Sequence, residues 1–220
     1  MNPLWGGLSV AAIAGELVTA ATNTAMYTYE IAPIATLVES SILKRMAELA
    51  DFGTAQGTLT TGGSNGNLLG LLCARQAKFP LSNHTGFNGE NVVAFVSEEC
   101  HYSFGIASNV IGIGSSNLIK VRCNAEGQMR PDSLEEEIER AIRNGQTPFA
   151  VLATSGTTVR GSFDPLRELA TVAHKHHLWM HVDAAWGGSA LFSPTYRSLM
   201  DGIELADSFC WDAHKMMGIP

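Results

Sequence analysis

Apolar positions along this chain follow two rhythms. From about residue 90 onward, short unbroken runs recur: NVVAFVS, NLIKVRC, PFAVLATSG, LWMHVD and SFCWD. Each is bounded by turn residues and several are rich in β-branched side chains, which predicts short strands buried on both faces. Longer segments with apolar residues three and four apart lie between them and predict helices. PDSLEEEIERAIRNG has Pro131 early, acids in its first turns, arginines late and Gly145 just past its end, the pattern of an amphipathic helix that complements its own dipole. FDPLRELATVAHKHH predicts a helix capped by Asp164. Upstream, GTLTTGG predicts a short strand running into a glycine turn, and SNGNLLGLLCARQAKF a helix buried on several sides. SVAAIAGELVTAATN and PIATLVESSILKRMAELA predict two further helices, the second opened by Pro33 at a first-turn position.

Alternation of strand and helix from about residue 57 predicts an α/β fold. Right-handed crossovers then give a mostly parallel (mixed) sheet with helices on its faces. Ligands in such sheets sit beyond the carboxyl ends of the strands. The residues expected there are Gly62 to Asn65, Glu98 to His101, Ser155 to Thr158, Asp183 to Trp186, and His214 with Lys215.

Composition narrows the function. The 220 residues carry 45% apolar side chains and a net charge of −7. A core of useful size is available, and an acidic chain is a poor partner for nucleic acid or an anionic membrane surface. No apolar run reaches the length of a membrane span. The first 18 residues are apolar but lack a basic start and include Glu16, which argues against a signal peptide. Cysteines 73, 100, 123 and 210 are far apart with no CxxC pair, as expected of reduced thiols in a cytoplasmic protein.

Three features at the expected strand ends carry chemistry. The turn TTGGSNGN offers free backbone N–H groups at a helix start, suited to a phosphate, though on its own such a turn is more often an ordinary tight strand-to-helix connection. Asp183 ends an apolar strand, where its charge needs a partner: a protonated heteroaromatic nitrogen, an arginine, or the N–H groups of the next turn. Lys215 is flanked by Trp211, His214, Met216 and Met217. It is either a solvated charge at a strand end or a partly desolvated amine able to attack a carbonyl. Amine, carboxylate and anion-binding turn, in this topological order, are together what pyridoxal phosphate requires. The turn is neither GxGxxG nor a P-loop, which sets a dehydrogenase reading aside.

At these residues the sequence resembles the group II pyridoxal-phosphate amino-acid decarboxylases. The segments YTYEIAP, TTGGSNGNLLGLLCAR, HYS, TSGTTVRGSFDP, LWMHVDAAWGGSALFSP and ADSFCWDAHKMMG carry the resemblance, and YEIAP with HVDAAWGGS leans to the glutamate and cysteine-sulfinate branch. The resemblance implies the large cofactor domain of the aspartate-aminotransferase-like fold, here 51–220, after a helical lead-in over 1–50. It implies Lys215 as the Schiff-base lysine, Asp183 on the pyridine nitrogen, Ala185 on one ring face and His101 on the other. It implies Gly63, Ser64 and His214 at the phosphate and Thr158 near the cofactor's polar edge. The expected activity is decarboxylation of a short acidic L-amino acid (glutamate, aspartate or cysteine sulfinate) by a homodimer. Family members are longer, with a small C-terminal domain and a substrate-gripping arginine beyond the lysine. The chain is therefore expected to be an incomplete large domain, and an inactive fragment or interaction module keeping the fold is the rival reading. The departure at Ala213, where the family commonly has proline, touches no chemistry.

Other features receive bland readings. His174, His176 and His177 fall at a helix C-terminus, where histidines complement the dipole rather than bind metal. EEEIER is a solvated helix face. Cys100 is expected to be an ordinary thiol.

Overall fold

The structure, a computed structural model, describes Leu4 and residues 6–220. The first 18 residues, read above against a signal peptide, thus lie partly outside the described residues. Two helices lead: α1 (Val10–Thr22) and α2 (Pro33–Leu49). Ser9 caps α1, Asn23 closes it in the left-handed region, and Pro33 opens α2 as its sequence predicts. After them come α3 (Gly63–Lys78), the short α4 (Ser82–Thr85), β1 (Val92–Ser97), α5 (Ser103–Val110) and β2 (Leu118–Val121). The chain continues through α6 (Pro131–Arg143), β3 (Thr147–Thr154), α7 (Leu166–Lys175), β4 (Trp179–Asp183) and β5 (Ser208–Cys210), with 3₁₀ turns between the last two strands.

The five strands form one sheet in the order β2-β1-β3-β4-β5. Every strand pairing is parallel, so the sheet is not mixed among the described residues; antiparallel contact is limited to two isolated bridges. Period-two alternation sorts its side chains. Val93, Phe95, Val151, Ala153, Met180 and Val182 face α6 and α7, while Val92, Ala94, Val96, Ala150 and Leu152 face α3 and α5. On α6, Leu134, Ile138 and Ala141 meet the sheet at helical spacing, and the acids and arginines between them stay outside except Glu137, which is buried beside Arg140, so EEEIER is not the wholly solvated face expected.

Three expectations change. Residues 57–62 form no strand; no neighbouring strand pairs with them, and the segment is tied locally by Leu59 N–H to Glu39 Oε1 (3.4 Å) and Thr60 Oγ1 to the Gly62 carbonyl (3.2 Å). Asp164 does not cap α7, whose first turn has no side-chain cap. Its carboxylate instead accepts from the amides of Met129 and Thr154, both at 2.7 Å, stitching β3 to the segment before α6. Finally, α5 appears where Gly, Ser and Asn gave no helical signal; Phe104 and Ala107 bury one face of it against the sheet.

Candidate active site

All five strands run the same way, so Ser97, Thr154, Asp183 and Cys210 end at one edge of the sheet. Asp183 pairs in register with Cys210, which places the carboxylate beside the segment that leads on to Lys215. Residues 181 and 183 share the strand face covered by α3. That helix approaches closely because Gly63, Gly66 and Gly70 present no side chain. A Cβ at Gly70 would lie 2.3 Å from His181 Nδ1, and one at Gly63 would lie 2.7 Å from Asp212 Oδ2 and 3.0 Å from the Ala185 Cβ.

Asp183 is 6% exposed. Its Oδ2 accepts from Asn67 Nδ2 at 2.8 Å, and its Oδ1 accepts from the Ala185 amide at 3.1 Å. Turn capping therefore accounts for one oxygen. No arginine, lysine or histidine forms an ion pair with it among the described residues. A buried carboxylate without a cationic partner is matched by a group that carries its own proton, such as a pyridinium nitrogen.

Lys215 is not in the apolar company its flanks suggest. Met216 and His214 are exposed, and Lys215 Nζ lies 3.4 Å from Asp212 Oδ2. Asp212 is buried, with His214 Nε2 3.7 Å away, and it accepts the Gly63 N–H at 3.1 Å. A carboxylate thus sits on the first amide of α3 with two basic side chains around it. The first amide of the turn is thus engaged by a side-chain carboxylate of the chain itself. The loop carrying the lysine is also tied to the start of the chain: Gly6 N–H donates to the Lys215 carbonyl and Ser9 N–H to that of Gly218 (3.0 Å).

His101 follows β1 and is half-buried. Its Nδ1 lies 2.9 Å from Ser103 Oγ and accepts from the Ser103 amide at 3.3 Å. Burial lowers its basicity below the usual imidazole range; the Asp183 charge opposes that shift, Lys215 adds to it, and Asp212 opposes it. Asp183, Lys215 and Asp212 therefore all lie near enough to this ring to act on it. Ala185 is buried at the same edge. Ser64 and Thr158 are exposed, with no hydrogen bond joining either to the cluster; the neighbouring Thr157 is the buried hydroxyl, and its Oγ1 accepts the Ser162 amide at 3.0 Å. Thr154 Oγ1 and Ser155 Oγ are buried beside the edge without partners among the described residues.

Sequence reasoning missed Asp212, Asn67, Ser103, His181 and Cys210. Two signals were available: His181 stands two residues before Asp183 and so shares its strand face, and Asn67 stands one helical turn after Gly63. Burial pushes the Cys100 thiol up to about 11. His176 Nε2 and Lys175 Nζ both meet Glu135 Oε1, at 2.6 and 2.8 Å, and no cluster suited to a metal occurs among the described residues.

Residues 2–220 match the family model described as the pyridoxal-dependent decarboxylase conserved domain. A cysteine sulfinic acid decarboxylase of Rattus norvegicus is 43% identical over 217 residues, covering 98% of this chain and 44% of that protein. The acidic amino acid decarboxylase GADL1 of Mus musculus is 43% identical over the same length, covering 40% of its sequence. Among solved structures, mouse CSAD superposes with a TM-score of 0.97 at 42% identity, covering all of this chain and 47% of that one. Oryza sativa TDC with PLP and tryptamine superposes at 0.88 with 30% identity, covering 97% of this chain and 48% of that one. The chain spans less than half the length of these relatives.

Proposed function

From the chain's membership of the pyridoxal-dependent decarboxylase family, we propose that it forms the cofactor-binding part of an enzyme that decarboxylates a short acidic L-amino acid. Pyridoxal phosphate is the cofactor of this family. Glutamate, aspartate and cysteine sulfinate are the candidate substrates; the names of the relatives support that acidic class. Residues 51–220 are taken as the large domain and 1–50 as its helical lead-in. A cytoplasmic homodimer fits the four free cysteines and the apolar side chains left open on the lead-in helices.

Buried Asp183 carries this reading, an acceptor with no cationic partner at the edge that also holds Lys215. When bound, pyridoxal phosphate supplies an aldehyde for an amine and a ring that draws electrons from the bond to the departing carboxylate. Asp183 would hold the proton on the ring nitrogen, keeping it cationic. The amine of Lys215 would hold the aldehyde carbon, and Asp212, 3.4 Å away, is placed to take or return a proton at Nζ. The Gly63 amide, with Ser64 and His214, would receive the phosphate, which requires Asp212 to give up that amide. Ala185 and His101 would enclose the ring, with Thr158 toward its polar edge. Lys215 and Asp183 would thus hold opposite ends of one small group.

The test is covalent mapping. The protein is incubated with pyridoxal phosphate and reduced with borohydride, and the label is expected on the peptide holding Lys215. Lys215→Ala should lose the label and abolish carbon dioxide release from the three acids. Asp183→Ala should weaken cofactor binding and turnover together. A label on another lysine, or undiminished turnover in Lys215→Ala, would refute the assignment.

A further inference from the structure

Beneath Asp183 the side chains form a chain of hydrogen bonds whose direction is fixed at both ends. Trp179 Nε1 can only donate, and it donates to Ser208 Oγ at 2.8 Å. The Ser208 proton is then free for His181 Nδ1, also at 2.8 Å. That leaves the His181 proton on Nε2, 3.0 Å from Asn67 Oδ1. At the far end the Asp183 carboxylate can only accept, so the Asn67 amide must turn its NH₂ toward it, 2.8 Å away. The two ends agree, and Cys210 Sγ supplies a second donor to Asn67 Oδ1 at 3.0 Å. Burial lowers the His181 pKa to about 4, so the ring stays neutral and the chain keeps its sense.

Asn67 also branches. Its second amide proton reaches Ser103 Oγ at 2.9 Å. Ser103 Oγ therefore accepts there and has its own proton for His101 Nδ1, 2.9 Å away. The Ser103 backbone amide donates to the same ring nitrogen. Nδ1 receives two donors and cannot carry a proton, so the His101 proton resides on Nε2.

We propose that Asn67 is the positioning residue of this site: one amide group orients the Asp183 carboxylate and, through Ser103, fixes His101 in its Nε2–H tautomer. The role deepens the function proposed above and rests on it, because it matters for decarboxylation only if Asp183 and His101 serve the cofactor. The tautomer itself is independent of that reading. A carboxylate with one donor on each oxygen (Ala185 amide on Oδ1, Asn67 on Oδ2) is held in one orientation with a lone pair left on each oxygen, and a fixed Nε2–H makes neutral His101 a donor on its outer side.

The test is the ¹⁵N spectrum of the protein with labelled histidine, recorded near neutral pH without added cofactor. His101 is expected as a single Nε2–H tautomer. Asn67→Leu removes both amide donors, and Ser103→Ala removes the hydroxyl; each weakens the hold on Nδ1 toward the longer Ser103 backbone amide bond (3.3 Å) and should admit a minor Nδ1–H population, while Ser103→Thr should keep the parent pattern. An Nδ1–H tautomer in the parent overturns the proposal, and that measurement needs no variant to fold. So does an unchanged His101 pattern in Ser103→Ala when its melting temperature is within a few degrees of the parent. Loss of the Lys215 label with the His101 pattern intact would instead refute only the proposed function.

Discussion

Two pairs of helices in this protein invert a common expectation about hydrophobicity. α1 is almost entirely apolar, VAAIAGELVTAAT, yet buries no residue, and α2 buries only Ala47. α6 and α7 are charged over much of their length, yet between them they bury Leu134, Ile138, Ala141, Leu166, Leu169, Ala170 and Ala173 against the sheet. Pattern, not content, decides the difference. A stripe three and four residues apart gives α6 one face to hide and one to show, whereas α1 is apolar all round and has no sheet beside it. Stability is therefore concentrated from α3 onward, and the lead-in helices contribute little to it within this chain.

The sharpest way to break that contrast is at the sheet. Leu134→Ala should cost about 2–5 kcal/mol in urea unfolding, the range for a fully buried leucine; a loss no larger than that of a surface substitution would deny α6 its place in the core. A second measurement uses pH. Burial raises the Asp164 carboxyl to about 6, against 3.8 when exposed. The folded state then holds its proton more tightly than the unfolded chain, so this group favours folding at pH 4 and loses that advantage as pH rises to 6 and above. The difference is on the order of 3 kcal/mol, and Asp164→Asn should make the slope of stability against pH more positive between 4 and 6. An unchanged slope would mean the carboxyl is solvated. The smallest effect is expected in the lead-in: Leu17→Ser, 67% exposed in α1, should stay within about 0.5 kcal/mol. A larger loss would show that α1 is covered in solution.

The sequence made the strands legible because each is a short apolar run with punctuation, and β1 through β5 fall within those runs, save that β3 starts one residue early at Thr147. It made Lys215 and Asp183 legible because topology puts strand ends on one edge. The partners were harder. Asp212 reads as one more turn residue in WDAHK, and only folding brings it to Gly63, so the lysine's charged neighbour could not be seen. Asn67 lies in SNGNLL, where an asparagine looks like turn chemistry until α3 carries it against β4. Asp164 was misread as a helix cap because local spacing favours that role, while its true partners, Met129 and Thr154, come from two other segments. Long-range hydrogen bonds leave no periodic trace.

The tie from Gly6 to the Lys215 carbonyl has a practical side. The amine is anchored on one flank by a peptide unit from the opposite end of the sequence, and a Cβ at Gly6 would lie 2.8 Å from that same oxygen. A fusion partner or affinity handle attached ahead of Gly6 would pull on the backbone of Lys215 before it disturbed any strand.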